Sequence, residues 1–429
     1  MTSGRRMMWL ALVSGCLAPV GAQETGAINT GDTAWILVSA ALVMLMTPGL
    51  ALFYAGMVRR KNVLGTLMQS FIAVAVIGVL WVVIGYSLAF GGGNHLIGDL
   101  THLGLAGVGQ EVFTGTGVPA LAFMMYQGMF AIITPALISG AVAERMRFSA
   151  YVVFISLWSL LVYCPLAHWV WGGGWLQKLG ALDFAGGNVV HISSGVSALV
   201  LCLLLGRRRK EDEDIPAPHN LTMTVLGAGI LWFGWFGFNA GSALGASGLA
   251  SLAFVNTNSS AAAATLGWLL VEWIRHGRPT VLGAVSGAVA GLVAITPAAG
   301  FVSPMASLLI GFLGGAVCFA AVELKGRLGY DDSLDAFGVH GVGGTWGALA
   351  TGLFALAAVN PAGADGLLAG GATLFAKQLI SIAATWAYAA VVTVILVKLL
   401  GLFMPLRMDE EQELMGMDLV LHDEVGYRL

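Results

Sequence analysis

D-F-A-G-G-N-V-V-H-I-S-S-G at 183–195 and D-A-F-G-V-H-G-V-G-G-T-W at 335–346 each bury one histidine, His191 and His340, in an apolar, glycine-rich run. An ionisable ring in hydrocarbon is costly unless it faces a partner or a cavity, so it marks a functional site by default. The two runs read as a matched pair, each histidine following an aspartate (Asp183, Asp335) by several residues. On the His191 face lie Ser194, Gly195 and Ala198; on the His340 face lie Gly343, Gly344 and Gly347. Small residues at i+3, i+4 and i+7 let two helices approach closely, imidazole to imidazole.

Working outward, the chain has 429 residues, 58% hydrophobic and 10% charged, with mean hydropathy +0.85. A soluble domain carries about 25% charged residues. Apolar runs of bilayer-crossing length recur, giving an all-α polytopic membrane protein. The expected spans are 33–57, 66–90, 118–142, 149–169, 189–206, 221–242, 251–274, 280–297, 304–323, 337–357 and 371–403. A net charge of −3 without a basic stripe excludes a nucleic-acid binder.

Positive charge follows every odd-numbered span: Arg59–Lys61, Arg145 and Arg147, Arg207–Lys210, Arg275 and Arg278, Lys325 and Arg327, Arg407. The loops after even spans carry only Lys178. By the positive-inside rule the N-terminus is outside and the C-terminus cytoplasmic. Ten of the eleven spans divide into two sets of five, which must then run in opposite directions, with His191 and His340 in the last span of each set. Such five-plus-five inverted repeats place a substrate path at the midplane, a central pore between the halves.

The termini read differently. Residues 1–22 have a basic start (Arg5, Arg6), a short apolar run and small residues before Gln23, the pattern of a signal peptide; Val13–Cys16 also resembles a lipoprotein-processing box. Residues 23–406 form the membrane domain. The tail 407–429 mixes acidic residues with Leu, Met and Val, which argues for docking. Cys164, Cys202 and Cys318 sit in apolar segments without metal-ligand spacing, so neither a disulfide framework nor a metal site is expected.

Trp235, Phe238 and Ser242 share a helical face, and Tyr126 and Phe130 do the same in the third span. Aromatic faces with a hydroxyl at the outer end suit a small cation, held by cation–π attraction and one hydrogen bond. Trp171 ends the fourth span at the outer side. Asp183 either favours entering cations or caps the fifth span, and the cap is the preferred reading; Asp335 is expected to cap the tenth span in the same way. Ser193 and Ser194 are helical neighbours of His191 rather than positioned nucleophiles, so an enzyme is not expected.

Several motifs resemble the ammonium transporter family: P-G-L-A-L-F-Y-A-G-M-V-R-R-K-N-V at 48–63, A-E-R-M-R-F-S-A at 143–150, A-H-W-V-W-G-G-G at 167–174 and G-W-F-G-F-N-A-G-S at 234–242, with A-F-V-N-T, both histidine motifs and a D-x-x-x-H-x-E-x-x-Y-like tail. The resemblance runs from about residue 33 to the C-terminus. It implies an external recruitment site of Trp171, Ser242, Tyr126 and Phe130, and a gate of Phe130 and Phe238. It also implies a pore lined by His191, His340, Trp235 and Thr296, with Asp183 near the outer vestibule. Further implications are a homotrimer in a bacterial inner membrane serving nitrogen uptake, with methylammonium as a substrate analogue and no cofactor. A cytoplasmic PII signal protein would act through a tail surface including Gly416, Asp418 and Tyr427. A bare ion in low dielectric costs tens of kcal/mol. Deprotonating ammonium outside and conducting ammonia, with or without the proton, avoids most of that. The alternative is an ammonium sensor signalling through the tail.

Overall fold

The computed structural model describes residues 27–209 and 218–427; the expected signal peptide 1–22 and Cys16 lie outside them. Among the described residues the chain is helical, with two isolated β-bridges and no strand. Eight of the described helices are long and apolar enough to cross a membrane. A chain in hydrocarbon must satisfy its backbone internally, which selects helices.

In chain order we label α1 (Thr30–Met57), α2 (Arg60–Phe90), α3 (Ala120–Val142), α4 (148–171), α5 (Gly187–Leu205), α6 (Leu221–Ala240), α7 (Gly248–His276), α8 (Val281–Ile295), α9 (Pro304–Leu328), α10 (337–354), α11 (Ala372–Phe403), α12 (Glu410–Met415) and α13 (Met417–His422). Side-chain caps start many of them: Asn29 for α1, Asn220 for α6, Ser247 for α7, Thr280 for α8 and Ser303 for α9. Each accepts an otherwise orphaned N–H of the first turn. The α9 helix runs five residues past its expected end at 323, to a Gly329 C-cap with φ 74°.

The arrangement has the expected two-fold character. The first helices of the two sets, α1 and α6, pack along each other, with Gly227 against the Phe53 backbone. The last helices, α5 and α10, cross where Gly195 meets the backbone of Gly341 and Gly344 meets Cβ of His191. Both open with a π-helical turn that contains the histidine, Gly187–Ile192 and Phe337–Gly341. The long α11 straps the outside of this crossing. Its Gln378 exchanges two hydrogen bonds with the backbone of Leu182, at 2.7 and 2.8 Å, and its Ser381 accepts from Asn188. Large apolar side chains such as Phe71, Phe233, Ile274 and Leu402 face outward, as lipid contact requires.

The tail docks. Arg407 pairs with the buried Glu413 and donates to Leu205 O, and Asp409 and Gln412 close a capping box at the start of α12.

Candidate pore and its outer and inner mouths

One mouth of the candidate path, the one expected outside, lies between α3, α4 and α6. Tyr126 is fully buried, and its hydroxyl lies 2.8 Å from Phe238 O, 2.9 Å from Gly237 O and 3.2 Å from Ser242 Oγ. Ser242 donates to Phe238 O at 2.9 Å from the 3-10 turn Gly241–Ala243. Trp171 is half-buried and donates from Nε1 to Asp183 O at 2.9 Å, which orients its ring edge-on to Phe130, centroids 6.0 Å apart. Phe130 in turn stacks on Phe238 at 4.2 Å. The four residues expected for recruitment and the two expected for the gate therefore form one contiguous aromatic and hydroxyl cluster.

Directly behind the stacked phenylalanines is a narrow cavity lined by Phe238, Trp235, His191, His340 and aliphatic side chains including Leu50 and Ile133. His191 and His340 face each other, Nδ1 to Nδ1 at 3.3 Å, with rings 18° from parallel. One shared hydrogen satisfies that contact, since a neutral ring offers one donor and one acceptor. His191 Nε2 has no protein partner although the ring is buried, and an unmet buried polar nitrogen beside a cavity is a place for a small hydrogen-bonding guest. Trp235 stacks on His191 at 5.4 Å. Thr296 does not border this cavity: its Oγ1 accepts the Trp235 indole N–H at 2.9 Å and donates to Leu292 O, so it holds Trp235 from behind.

Past His340 a second cavity continues among Phe53, Tyr54, Trp268, Ser286 and Asp335. Phe53, Val289 and His340 border both cavities. Trp268 and Ser286 carry no motif in the sequence and emerge only from the fold.

Asp183 accepts four backbone N–H groups, Gly186 and Gly187 at Oδ1 and Asn188 and Val189 at Oδ2, between 2.6 and 3.3 Å. It thus caps α5; burial pushes its pKa up, and the four N–H bonds oppose the rise. The expected twin, Asp335, is corrected. The residue that caps α10 is Asp332, which accepts Ala336 N and Phe337 N at 3.1 and 2.7 Å. Asp335 has φ 62° and pairs instead with Lys325. The sequence carried the signal, because Asp183 and Asp332 each precede their histidine by eight residues.

Glu144 does not pair with its neighbour Arg145. It is buried and pairs with Arg59 at 3.1 Å and Arg208 at 2.8 Å. Arg145 donates to Ser333 Oγ, Asp331 O and Ala141 O. Glu323 likewise pairs with Arg275 and His276 rather than Lys325. In the tail, Gly416 adopts φ 102° against Lys61, Asp418 is 4% exposed, and the Tyr427 hydroxyl meets His219 Nε2 at 3.2 Å. Gly416 and Asp418 are thus buried where the tail meets the membrane domain, and Tyr427 is half-buried against His219.

The sequence model of the Ammonium Transporter Family matches residues 34–427. This chain belongs to the ammonium transporter family. The ammonium transporter of Bacillus subtilis (strain 168) is 59% identical over 404 residues, which are 94% of this chain and 99% of that one. The crystal structure of Candida albicans Mep2 superposes with a TM-score of 0.84 at 39% identity, covering 90% of this chain and 87% of that one. A structure titled Sensor Amt Protein also matches, with a TM-score of 0.84 at 26% identity over 91% of this chain and 98% of that one. The family and the Bacillus subtilis relative are transporters by description, not enzymes.

Proposed function

We propose that this protein is an ammonium transporter. It recruits the cation at Trp171, Ser242, Tyr126 and Phe130, removes a proton, and conducts ammonia past Phe130 and Phe238 along His191 and His340. The observation that carries this reading is the His191–His340 pair: it supplies the polar ring atoms of a narrow cavity otherwise walled by apolar side chains, immediately behind a stacked aromatic pair. Such a cavity rejects a bare cation on Born grounds and accepts a small neutral hydrogen-bonding molecule. The imidazoles hydrogen-bond that molecule and can relay the proton. Trp235, braced by Thr296, fixes the His191 ring plane.

In this reading the chain sits in a bacterial inner membrane with its N-terminus outside after signal cleavage. It assembles as a homotrimer, and a cytoplasmic PII signal protein meets the inner face shaped by the docked tail. The alternative, a sensor, draws on the likeness to the Sensor Amt Protein and on a tail tied to α2 and to the end of α5.

The test is purified protein in liposomes on a solid-supported membrane, pulsed with ammonium against sodium, beside His191→Ala. A wild-type current lost or altered in the variant supports conduction along the histidines. Without current, rapid internal alkalinisation read by a pH dye means electroneutral ammonia passage. Silence in both assays favours the sensor.

A further inference from the structure

His168 lies in the last turn of α4, one turn before Trp171, and is 1% exposed. Its Nδ1 is 3.0 Å from Ala89 O and its Nε2 is 2.7 Å from Asn94 O. Among the described histidines, only His168 has backbone carbonyl oxygens against both ring nitrogens. At His219 the second partner is the Tyr427 hydroxyl, which can donate; at His95 the partner is the Lys178 ammonium. A carbonyl oxygen only accepts, so both contacts are hydrogen bonds only if both nitrogens carry a hydrogen. A neutral ring would aim a lone pair at one of two buried oxygens.

Backbone carbonyls crowd the ring. Ala89 O belongs to the last turn of α2, where carbonyls lack intrahelical donors. His168 is therefore at the C-terminal ends of two helices, α2 and α4, and both present the negative end of the helix dipole. The adjoining loop turns further carbonyls the same way: His95 O accepts Trp175 N at 3.1 Å and Leu96 O accepts Trp169 Nε1 at 2.7 Å. The ring makes no contact with a carboxylate. The titratable groups on the elements around it are Tyr86 on α2, His95, Asp99, His102 and Glu111 in the loop, Tyr163 and Cys164 on α4 itself, Lys178 in the short helix Trp175–Leu179, Asp183 and His191 at the start of α5, and Tyr388 on α11. Of these, Lys178 is turned to His95 at 3.0 Å, and Asp99 is engaged with Thr101 N.

We infer that His168 is a resident imidazolium, a buried cation held by backbone carbonyls, that staples the outer 91–98 loop to α4 and so positions the turn carrying Trp171. The close packing of that turn agrees: Gly172 sits against Ala89 O and His168, and a Cβ there has no room. His168 is a positioning residue, since it is not among the groups bordering the path.

The decisive measurement is nitrogen NMR of the wild-type protein in lipid nanodiscs near neutral pH. Ala-His occurs once in the chain, at Ala167–His168, so carbonyl-labelled alanine with nitrogen-labelled histidine assigns this ring without any variant. Two protonated ring nitrogens are expected; a single-proton tautomer overturns the inference. A second arm rests on the proposed transport activity. His168→Gln has one amide to offer and is expected to raise the apparent KM for methylammonium several-fold while leaving the maximal rate per folded protein near wild type. Unchanged KM, or loss of rate alone, overturns the positioning role. If wild type carries no methylammonium, the transport reading fails while the NMR result stands separately.

Discussion

Asn62 and Asp418 cap each other's helices across almost the whole length of the chain. Asn62 Oδ1 accepts the N–H of Met417, the first residue of α13, at 2.8 Å, and Asp418 Oδ1 accepts Gly65 N in the first turn after Asn62, also at 2.8 Å. Neither helix start has a side-chain cap of its own at that point. Met417 is fully buried in the same joint, its sulfur 3.2 Å from Glu144 N, and Asn62 Nδ2 donates to Glu144 at 2.8 Å. The tail is thus joined to the network around Glu144 through helix capping. Losing a cap costs about 1 kcal/mol. Asn62→Ala and Asp418→Ala are each expected to speed amide exchange across 410–427, and the double variant less than additively. Full additivity would mean that the two caps act independently.

The same network sets an acid limit on docking. Burial raises the Glu144 carboxyl, but Arg208 and Arg59, with bonds from Arg59 N and Asn62, outweigh it and leave the group below its usual range. Asp331 is also depressed: burial opposes, and the Arg208 guanidinium and N–H bonds prevail. Carboxylates lowered on folding stabilise fully above their unfolded values, about pH 4, and that contribution is lost as pH falls through the folded values. Tail protection is therefore expected to hold from neutral pH to about 5 and to decline below about 4. Arg208→Gln should move the decline upward; an unmoved onset would remove Arg208 from the account.

At the outer mouth, Ser242→Leu removes a hydroxyl that donates to Phe238 O and lies within hydrogen-bond distance of Tyr126. Uptake of dilute methylammonium is expected to fall far more than uptake at high concentration. Trp171→Ala, which loses a cation–π face worth about 0.5–2 kcal/mol, should raise the apparent KM roughly 2- to 30-fold. Equal loss at all concentrations, measured with labelled methylammonium, would count against an outer recruiting site.

The helix crossing that sets the histidine pair depends on missing side chains. A Cβ at Gly195 would run into the backbone of Gly341, whereas at Gly229, on the exposed face of α6, it meets nothing within 4 Å. Gly195→Ala is expected to lower the unfolding temperature and transport together, and Gly229→Ala to leave both unchanged. Comparable behaviour of the two variants would mean that the α5–α10 crossing is tolerant.

Trp235 is held by one hydrogen bond, to Thr296. Thr296→Val keeps the shape and leaves the buried indole N–H unmet, at a cost of about 1–3 kcal/mol. The expected result is slowed conduction with little change in methylammonium KM, because the proposed recruiting residues are untouched. A change in KM alone would contradict that placement.

The hydropathy pattern was enough for an all-helical membrane fold, because hydrocarbon leaves the backbone no other solution and each apolar run announces itself locally. The spacing of small residues after His191 and His340 was enough to bring the rings together, since helical periodicity places i+3, i+4 and i+7 on one face. Partner choice among charged groups was not legible. Glu144 is adjacent to Arg145 and Glu323 is two residues from Lys325, yet the fold pairs neither couple, because a helix end sends adjacent side chains in different directions. The α10 cap falls on Asp332 rather than Asp335 for the same reason: capping depends on where the first turn's N–H groups point. The exchange between Asn62 and Asp418, the bracing of Trp235 by Thr296 and the two carbonyls around His168 exist only when distant segments meet. Local sequence determined what each segment is; contact between segments decided which polar atoms satisfy one another.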